Sequence, residues 1–190
     1  SCLMACFLLR LGVRCIESNF FCDSPCMLAV RNVEVEVVEE LKQELNASFS
    51  VSLIHTSEQF TISASPHDLF LVNEALQKLG AQTRIIPINI PFHSKQLTSI
   101  TELLKQDIEK LELNRAFNCK YLNFPVYSSE DGSNLIDGSG SLLLHLAELT
   151  LVRSLDWRSI IYRCHSENVS HFIDFGHSIE ESISSVTMKE

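Results

Sequence analysis

Ile86-Pro87-Ile88-Asn89-Ile90-Pro91-Phe92-His93-Ser94-Lys95 decides how the chain folds, because an apolar strand ends there on a proline and a helix begins. Pro91 removes a backbone donor and stops a strand. Ser94 suits an N-cap, and Leu97, Ile100, Leu104, Ile108 and Leu111 recur after it at helical spacing. His93 is thereby held at a strand-to-helix corner. An imidazole at such a corner, with an ordinary pKa near neutrality, can take and return a proton in catalysis. A capping or surface histidine is the plainer reading of the same residue.

Upstream of that corner the hydrophobic pattern is regular. Residues 27–30 predict a strand, and Asn32 an N-cap with Glu34 and Glu36 set against the helix dipole and Val38, Leu41 and Leu45 buried. Val51 and Leu53, then Phe60, Ile62 and Ala64, alternate with polar residues around Thr56-Ser57-Glu58, which predicts a hairpin. Ser65-Pro66 with Asp68 opens a helix whose stripe is Leu69, Val72, Leu76 and Leu79, and Gly80 closes it. A last strand is expected over residues 84–90. This order is the split βαβ arrangement. Residues 26–90 are therefore expected to form a ferredoxin-like βαββαβ subdomain, an antiparallel four-stranded sheet with two helices on one face and Phe60 and Ile62 inward.

On either side the pattern is less complete. Leu3, Phe7, Leu8 and Leu11 give a first helix an apolar face, and Gly12 suggests its stop before a short buried strand at residues 13–16. Residues 19–25 read as a linker. After the His93 helix, residues 124–128 predict a buried strand and Ser129-Glu130-Asp131-Gly132 its turn. Residues 142–152 predict a helix with Leu142, Leu146, Leu149 and Val152 on one side. A shorter helix is expected from Asp156 with Trp157, Ile160, Ile161 and Cys164 inward, then a central strand at residues 171–175 and an amphipathic turn from Ile179.

With 190 residues and 45% hydrophobic content, the chain can bury a core for one domain, or one plus a small subdomain. Its net charge of −9 argues against nucleic acid and against an acidic membrane surface, both of which need clustered Lys and Arg. The apolar opening at residues 2–9 has no basic lead-in and is too short to span a bilayer. Seven cysteines is an odd count, and Cys2/Cys6 and Cys22/Cys26 are spaced i,i+4 rather than as C-x-x-C pairs. They read as apolar packing residues of a reducing compartment rather than as zinc ligands. His67, His145, His165 and His171 read as surface or edge residues, and Glu34, Glu36, Glu39 and Glu40 as a solvated face beside Lys42.

Pro91-Phe92-His93-Ser94 is similar to the "PFHS" element of the malonyl/acetyl transacylase family. Leu11-Gly12-Val13-Arg14-Cys15-Ile16-Glu17, followed by Ser24-Pro25-Cys26-Met27-Leu28, resembles the acyltransferase domain of the fungal-type fatty acid synthase beta subunit. Phe124-Pro125-Val126-Tyr127-Ser128, Asp156-Trp157 and Phe172-Ile173-Asp174-Phe175-Gly176 follow in that family's order, so the resemblance covers nearly the whole chain. It implies an α/β fold: the remnant of a hydrolase-like (flavodoxin-like) parallel-sheet core, residues 1–25 and 91–190, with the ferredoxin-like subdomain, residues 26–90, inserted.

In that family a serine attacks an acyl thioester of coenzyme A, a histidine removes its proton, and the acyl group passes to the phosphopantetheine thiol of acyl carrier protein. The resemblance places His93 in the histidine's role. It implies no tightly bound cofactor, acyl-coenzyme A as substrate, acyl carrier protein and the remainder of a fatty acid synthase as partners, and a cytoplasmic location. The family's G-H-S-x-G nucleophile lies upstream of its "GVRC" stretch, hence before Ser1, so this chain is expected to be the C-terminal part of such a domain; opening on Ser1 rather than methionine agrees. An apolar surface is accordingly expected along the first helix and the strand at residues 171–175. His55 stands near a position where the family usually has asparagine, and Ala64 where it has glycine. Gly176-His177-Ser178-Ile179-Glu180 is half of G-x-S-x-G at a strand-to-helix turn, but lacks the second glycine; family order makes it the "DFGPG"-type terminus. Two rival readings are a non-catalytic remnant serving as an interaction or assembly module, and an unrelated ferredoxin-like binding domain that leaves the outer stretches unexplained.

Overall fold

The structure, a computed structural model, describes residues 2–113, 117–138 and 140–172. Its elements in order are α1 (Cys2–Glu17), β1 (Met27–Arg31), α2 (Val37–Leu45), β2 (Phe49–Thr56), β3 (Gln59–Ala64), α3 (Pro66–Lys78), β4 (Gln82–Ile86), α4 (Thr98–Lys110), α5 (Leu142–Leu151), β5 (Leu155–Asp156) and α6 (Trp157–Ser166). The sheet order is β4-β1-β3-β2-β5. Its first four strands are antiparallel, and β5 joins β2 in parallel through Leu53–Leu155 and Ile54–Asp156.

Alternation along the strands builds the first core. Leu28 lies opposite Ile62 and Val30 opposite Phe60, so these cross-strand pairs stack on one face. Val38 and Leu41 of α2 and Leu69, Val72 and Leu76 of α3 pack onto the same cluster. Phe60 and Ile62 are buried as the alternation predicts. The Ser65 side chain accepts from the Asp68 amide at 3.2 Å and Pro66 fills the first helical position, so α3 starts where the sequence places it. Gly80, at φ +87°, ends that turn in a conformation that suits glycine.

A second core gathers Leu11 and Cys15 of α1, Ile90, Leu97, Ile100, Leu104 and Ile108 around α4, and Leu143, Ala147 and Leu151 of α5. Ion pairs clamp α1 to α4. Arg14 reaches both carboxylate oxygens of Asp107, Nη2 to Oδ1 at 2.6 Å and Nε to Oδ2 at 2.8 Å, and Arg10 Nε adds a third bond at 2.9 Å. Two-point guanidinium contacts of this kind fix orientation as well as distance.

Several local expectations are corrected. The helix does not stop at Gly12: α1 runs unbroken to Glu17, because Leu11/Cys15 and Arg10/Arg14 each find their partners only at helical spacing and outweigh the roughly 1 kcal/mol that an interior glycine costs. Asn32 is not an N-cap; it takes a left-handed φ of 65°, Val33 and Val35 enter the core from the bend and turn that follow it, and α2 begins at Val37. β4 is displaced to residues 82–86 by Pro87, and the amides of Cys22 and Cys26 instead bond the Asn89 and Ile88 carbonyls at 2.8 Å. Leu111 caps α4 and is exposed.

Residues 124–128 form no buried strand: Phe124 is 77% exposed, and the stretch contributes only a Tyr127–Asn134 bridge. In α5 the most buried stripe is Leu143, Ala147 and Leu151 rather than Leu142, Leu146 and Val152; leucines fall on nearly every side of this helix, so their spacing does not set its phase. The Asp156 side chain caps α6 as expected, accepting from Arg158 N at 3.0 Å. Leu9, Val13 and Ile16 form an exposed apolar strip on α1. His171 and Phe172 are exposed and outside any strand, and the rest of the expected strand at residues 171–175 lies outside the described residues.

Phe60→Ala should lower unfolding free energy by about 3–5 kcal/mol, as for a fully buried aromatic, read from urea denaturation. The Arg14 and Arg10 guanidiniums hold the Asp107 carboxyl well below the usual carboxylate range. Its contribution to stability is therefore complete above the unfolded value of about 3.9 and is lost as pH falls through the folded one. Asp107→Asn should lower the melting temperature at pH 7, and the gap to wild type should shrink steadily below about pH 4.

Candidate active site

His93 lies where the chain leaves the sheet and enters the second core. Ile90 belongs to that core and Phe92 packs against it, so the segment is anchored just before the histidine. His93 itself has φ 56°, a left-handed backbone that histidine adopts more readily than most residues but that still needs support from its surroundings. The C-terminal turn of α5 supplies some of it. Ser94 N donates to Leu151 O at 2.9 Å, and His93 Nδ1 lies 2.7 Å from Leu149 O and 3.2 Å from Arg153 O.

Carbonyls only accept, so Nδ1 carries the hydrogen and Nε2 is the basic atom of the neutral ring. Burial pushes the His93 pKa below its ordinary value, opposed by the two carbonyl bonds. The ring borders an open cleft of about 610 Å³, lined also by Ser50, Lys95, Arg153, Ser154 and Asp156. Arg153 is neutralised by Glu130 at 2.6 Å and by Glu148. Ser154 Oγ donates to Val51 O at 2.5 Å, tying this wall to β2.

Among the described residues no serine or cysteine side chain hydrogen-bonds His93. The buried Cys26 thiol is pushed up to about 12, by burial first and then by Cys22, which makes it a poor nucleophile. Burial likewise raises Cys15, Cys119 and Cys164. His177 and Ser178 lie outside the described residues. His55 is half-buried on β2, its pKa lowered by burial and by Arg31. His145, expected at the surface or an edge, is half-buried on α5 and its Nε2 has no partner among the described residues. No group of three metal-ligating side chains occurs among the described residues, and no described helix is long and apolar enough to cross a membrane.

The sequence located His93 but not its partners. Leu149, Leu151 and Arg153 act through backbone carbonyls, which leave no side-chain signature.

No protein-family model matches the chain. It is 26% identical over 185 residues to the fatty acid synthase subunit beta of Saccharomyces cerevisiae, and 27% identical over 185 residues to that of Schizosaccharomyces pombe; each alignment takes in 85% of this chain. The chain spans only 9% and 8% of those subunits. Among solved structures, the malonyl CoA-acyl carrier protein transacylase of Clostridium perfringens superposes with a TM-score of 0.73 at 20% identity, over 88% of this chain and 50% of that one. FabD of Acinetobacter baumannii gives 0.75 at 15% identity, over 96% and 56%. The shared fold is the α/β fold, with a mixed sheet, of acyltransferase domains.

Three histidines, His93, His55 and His145, have pKa values lowered mainly by burial, so below about pH 6.5 the unfolded chain binds more protons than the folded one. Stability should fall as pH drops from 7 to 5, measured by urea denaturation, and nitrogen-resolved NMR should find His93 titrating below 6.5.

Proposed function

We propose that this chain, whose homologues over most of its length are fungal fatty acid synthase beta subunits, is the C-terminal part of an acyl-coenzyme A:acyl-carrier-protein S-acyltransferase domain, with His93 as its general base. The observation that carries the reading is the His93 corner: a half-buried imidazole with Nδ1 committed to backbone carbonyls and Nε2 left as the basic atom beside an open cleft. In this reading β1 to β4 with α2 and α3 are the inserted ferredoxin-like subdomain, and α1, α4, α5 and α6 belong to the hydrolase-like core. The apolar strip of Leu9, Val13 and Ile16 supports a core that continues beyond these elements.

The serine nucleophile belongs to the segment upstream of Ser1. Its Oγ–H gives the proton to His93 Nε2 as the oxygen attacks the thioester carbon; coenzyme A leaves as its thiol, taking the proton back. The phosphopantetheine thiol of acyl carrier protein then reverses the sequence, giving its proton to His93 and releasing the serine. Acyl carrier protein and the remainder of a cytoplasmic fatty acid synthase are the partners, and acyl-coenzyme A is the substrate, with no tightly bound cofactor. Support for the partner comes from a structural neighbour solved as a transacylase in complex with its acyl-carrier protein.

Mass spectrometry of the chain after incubation with acetyl- or malonyl-coenzyme A should find no acyl adduct; an adduct abolished by His93→Ala would refute the missing nucleophile. In a domain completed by its upstream segment, His93→Ala should lower acyl transfer about 10²- to 10⁴-fold, the usual worth of a positioned base. Unchanged transfer would refute His93 as the base, and no transfer by the completed wild-type domain would leave the chain an interaction or assembly module.

A further inference from the structure

We propose that Ser63, braced by Ser52, is a positioning residue that sets the backbone of His93 and thereby its ring tautomer, an inference whose catalytic meaning rests on the function proposed above. Ser52 on β2 and Ser63 on β3 are both fully buried. Ser52 Oγ–H points to Ser63 Oγ at 2.5 Å, and Ser63 Oγ–H to the Phe92 carbonyl oxygen at 2.7 Å. A buried hydroxyl without a partner is destabilising, so a chain of two needs an acceptor at its end. Here the acceptor is the peptide that immediately precedes His93.

Strand register explains how the pair forms. The β2–β3 pairing slips between Val51 and Leu53, leaving Ser52 as the extra residue of a bulge. A bulge re-aims a side chain, and this one brings the Ser52 hydroxyl onto Ser63. Ser63 itself pairs regularly, opposite Ser50 on one side and Met27 on the other, so its own position is fixed by the centre of the sheet.

The consequence for His93 is geometric. Its φ of 56° is the rotation between the Phe92–His93 peptide plane and the His93 Cα. Ser63 holds the plane before the Cα from the sheet, and the Ser94 N–H to Leu151 O bond holds the plane after it from α5. With both planes gripped from opposite cores, the left-handed backbone is over-determined. The ring then meets Leu149 O with Nδ1 rather than Nε2.

The test is nitrogen-15 NMR of the histidine rings in the full chain at pH 7.5. Wild type should show His93 with a protonated Nδ1 and an unprotonated Nε2. Ser63→Ala should lose that signature, with His93 passing to the Nε2–H or a mixed tautomer. If Ser63→Ala does not fold, Ser63→Thr and Ser63→Val decide, since they add the same bulk and differ only in the hydroxyl. Thr should retain the wild-type signature and Val should lose it. A folded Ser63→Ala with wild-type nitrogen shifts, or identical shifts in the Thr and Val variants, would overturn the proposal. In a completed domain, Ser63→Ala should lower kcat by about 10- to 100-fold, as expected of a misplaced catalytic group, with KM little changed. A tautomer change without any loss of rate would keep the positioning role and refute His93 as the base.

Discussion

A crossover between two cores has to satisfy its own polar groups, and residues 90–94 do so against the C-terminal end of α5. The last carbonyls of a helix have no partners inside it, and a buried corner of chain has donors that water cannot reach. The Ser94 amide and the His93 Nδ1–H take the Leu151 and Leu149 carbonyls, so two sets of orphaned groups cancel. The position of the imidazole is thus a result of hydrogen-bond accounting rather than of side-chain packing alone. Moving α5 by one residue would remove both acceptors at once.

The same accounting explains why β5 is so short. It is a two-residue strand, yet it closes the wall of the cleft by pairing in parallel with β2 while Ser154 bonds the Val51 carbonyl. The β2 edge would otherwise present open backbone groups beside the site. Arg153, one residue before Ser154, is spent on Glu130 and Glu148 and binds the α5 turn to the loop before it. The cleft is therefore walled by polar groups that mostly serve one another.

What the sequence revealed follows the strength of its punctuation. The hairpin, α3 and the α6 start were legible because Thr56-Ser57-Glu58, Ser65-Pro66 and Asp156 are turn and cap residues whose chemistry is local. Asn32 misled because asparagine serves both an N-cap and a left-handed turn, and only the burial of Val33 and Val35 decides between them. Gly12 misled because its cost is smaller than the tertiary gain on the residues flanking it. The leucines of α5 gave the element but not its phase, and the phase determines which carbonyls face His93. Ser63 looked like an ordinary strand serine; its role depends on a register slip at Ser52 that no alternation pattern encodes.

The electrostatics of the corner suit the general base proposed for it. Burial disfavours the imidazolium and keeps the resting ring neutral, while the carbonyls at the end of α5 favour the charged form. These are the negative end of a helix dipole, and a cation there is stabilised by about 0.3–1 kcal/mol at an exposed site and more when partly buried. A ring oriented by a carboxylate would have a neighbour that carries full charge and can itself titrate. Main-chain carbonyls do neither, so the protonation of His93 is governed by the protein's shape and by whatever hydroxyl or thiol enters the cleft.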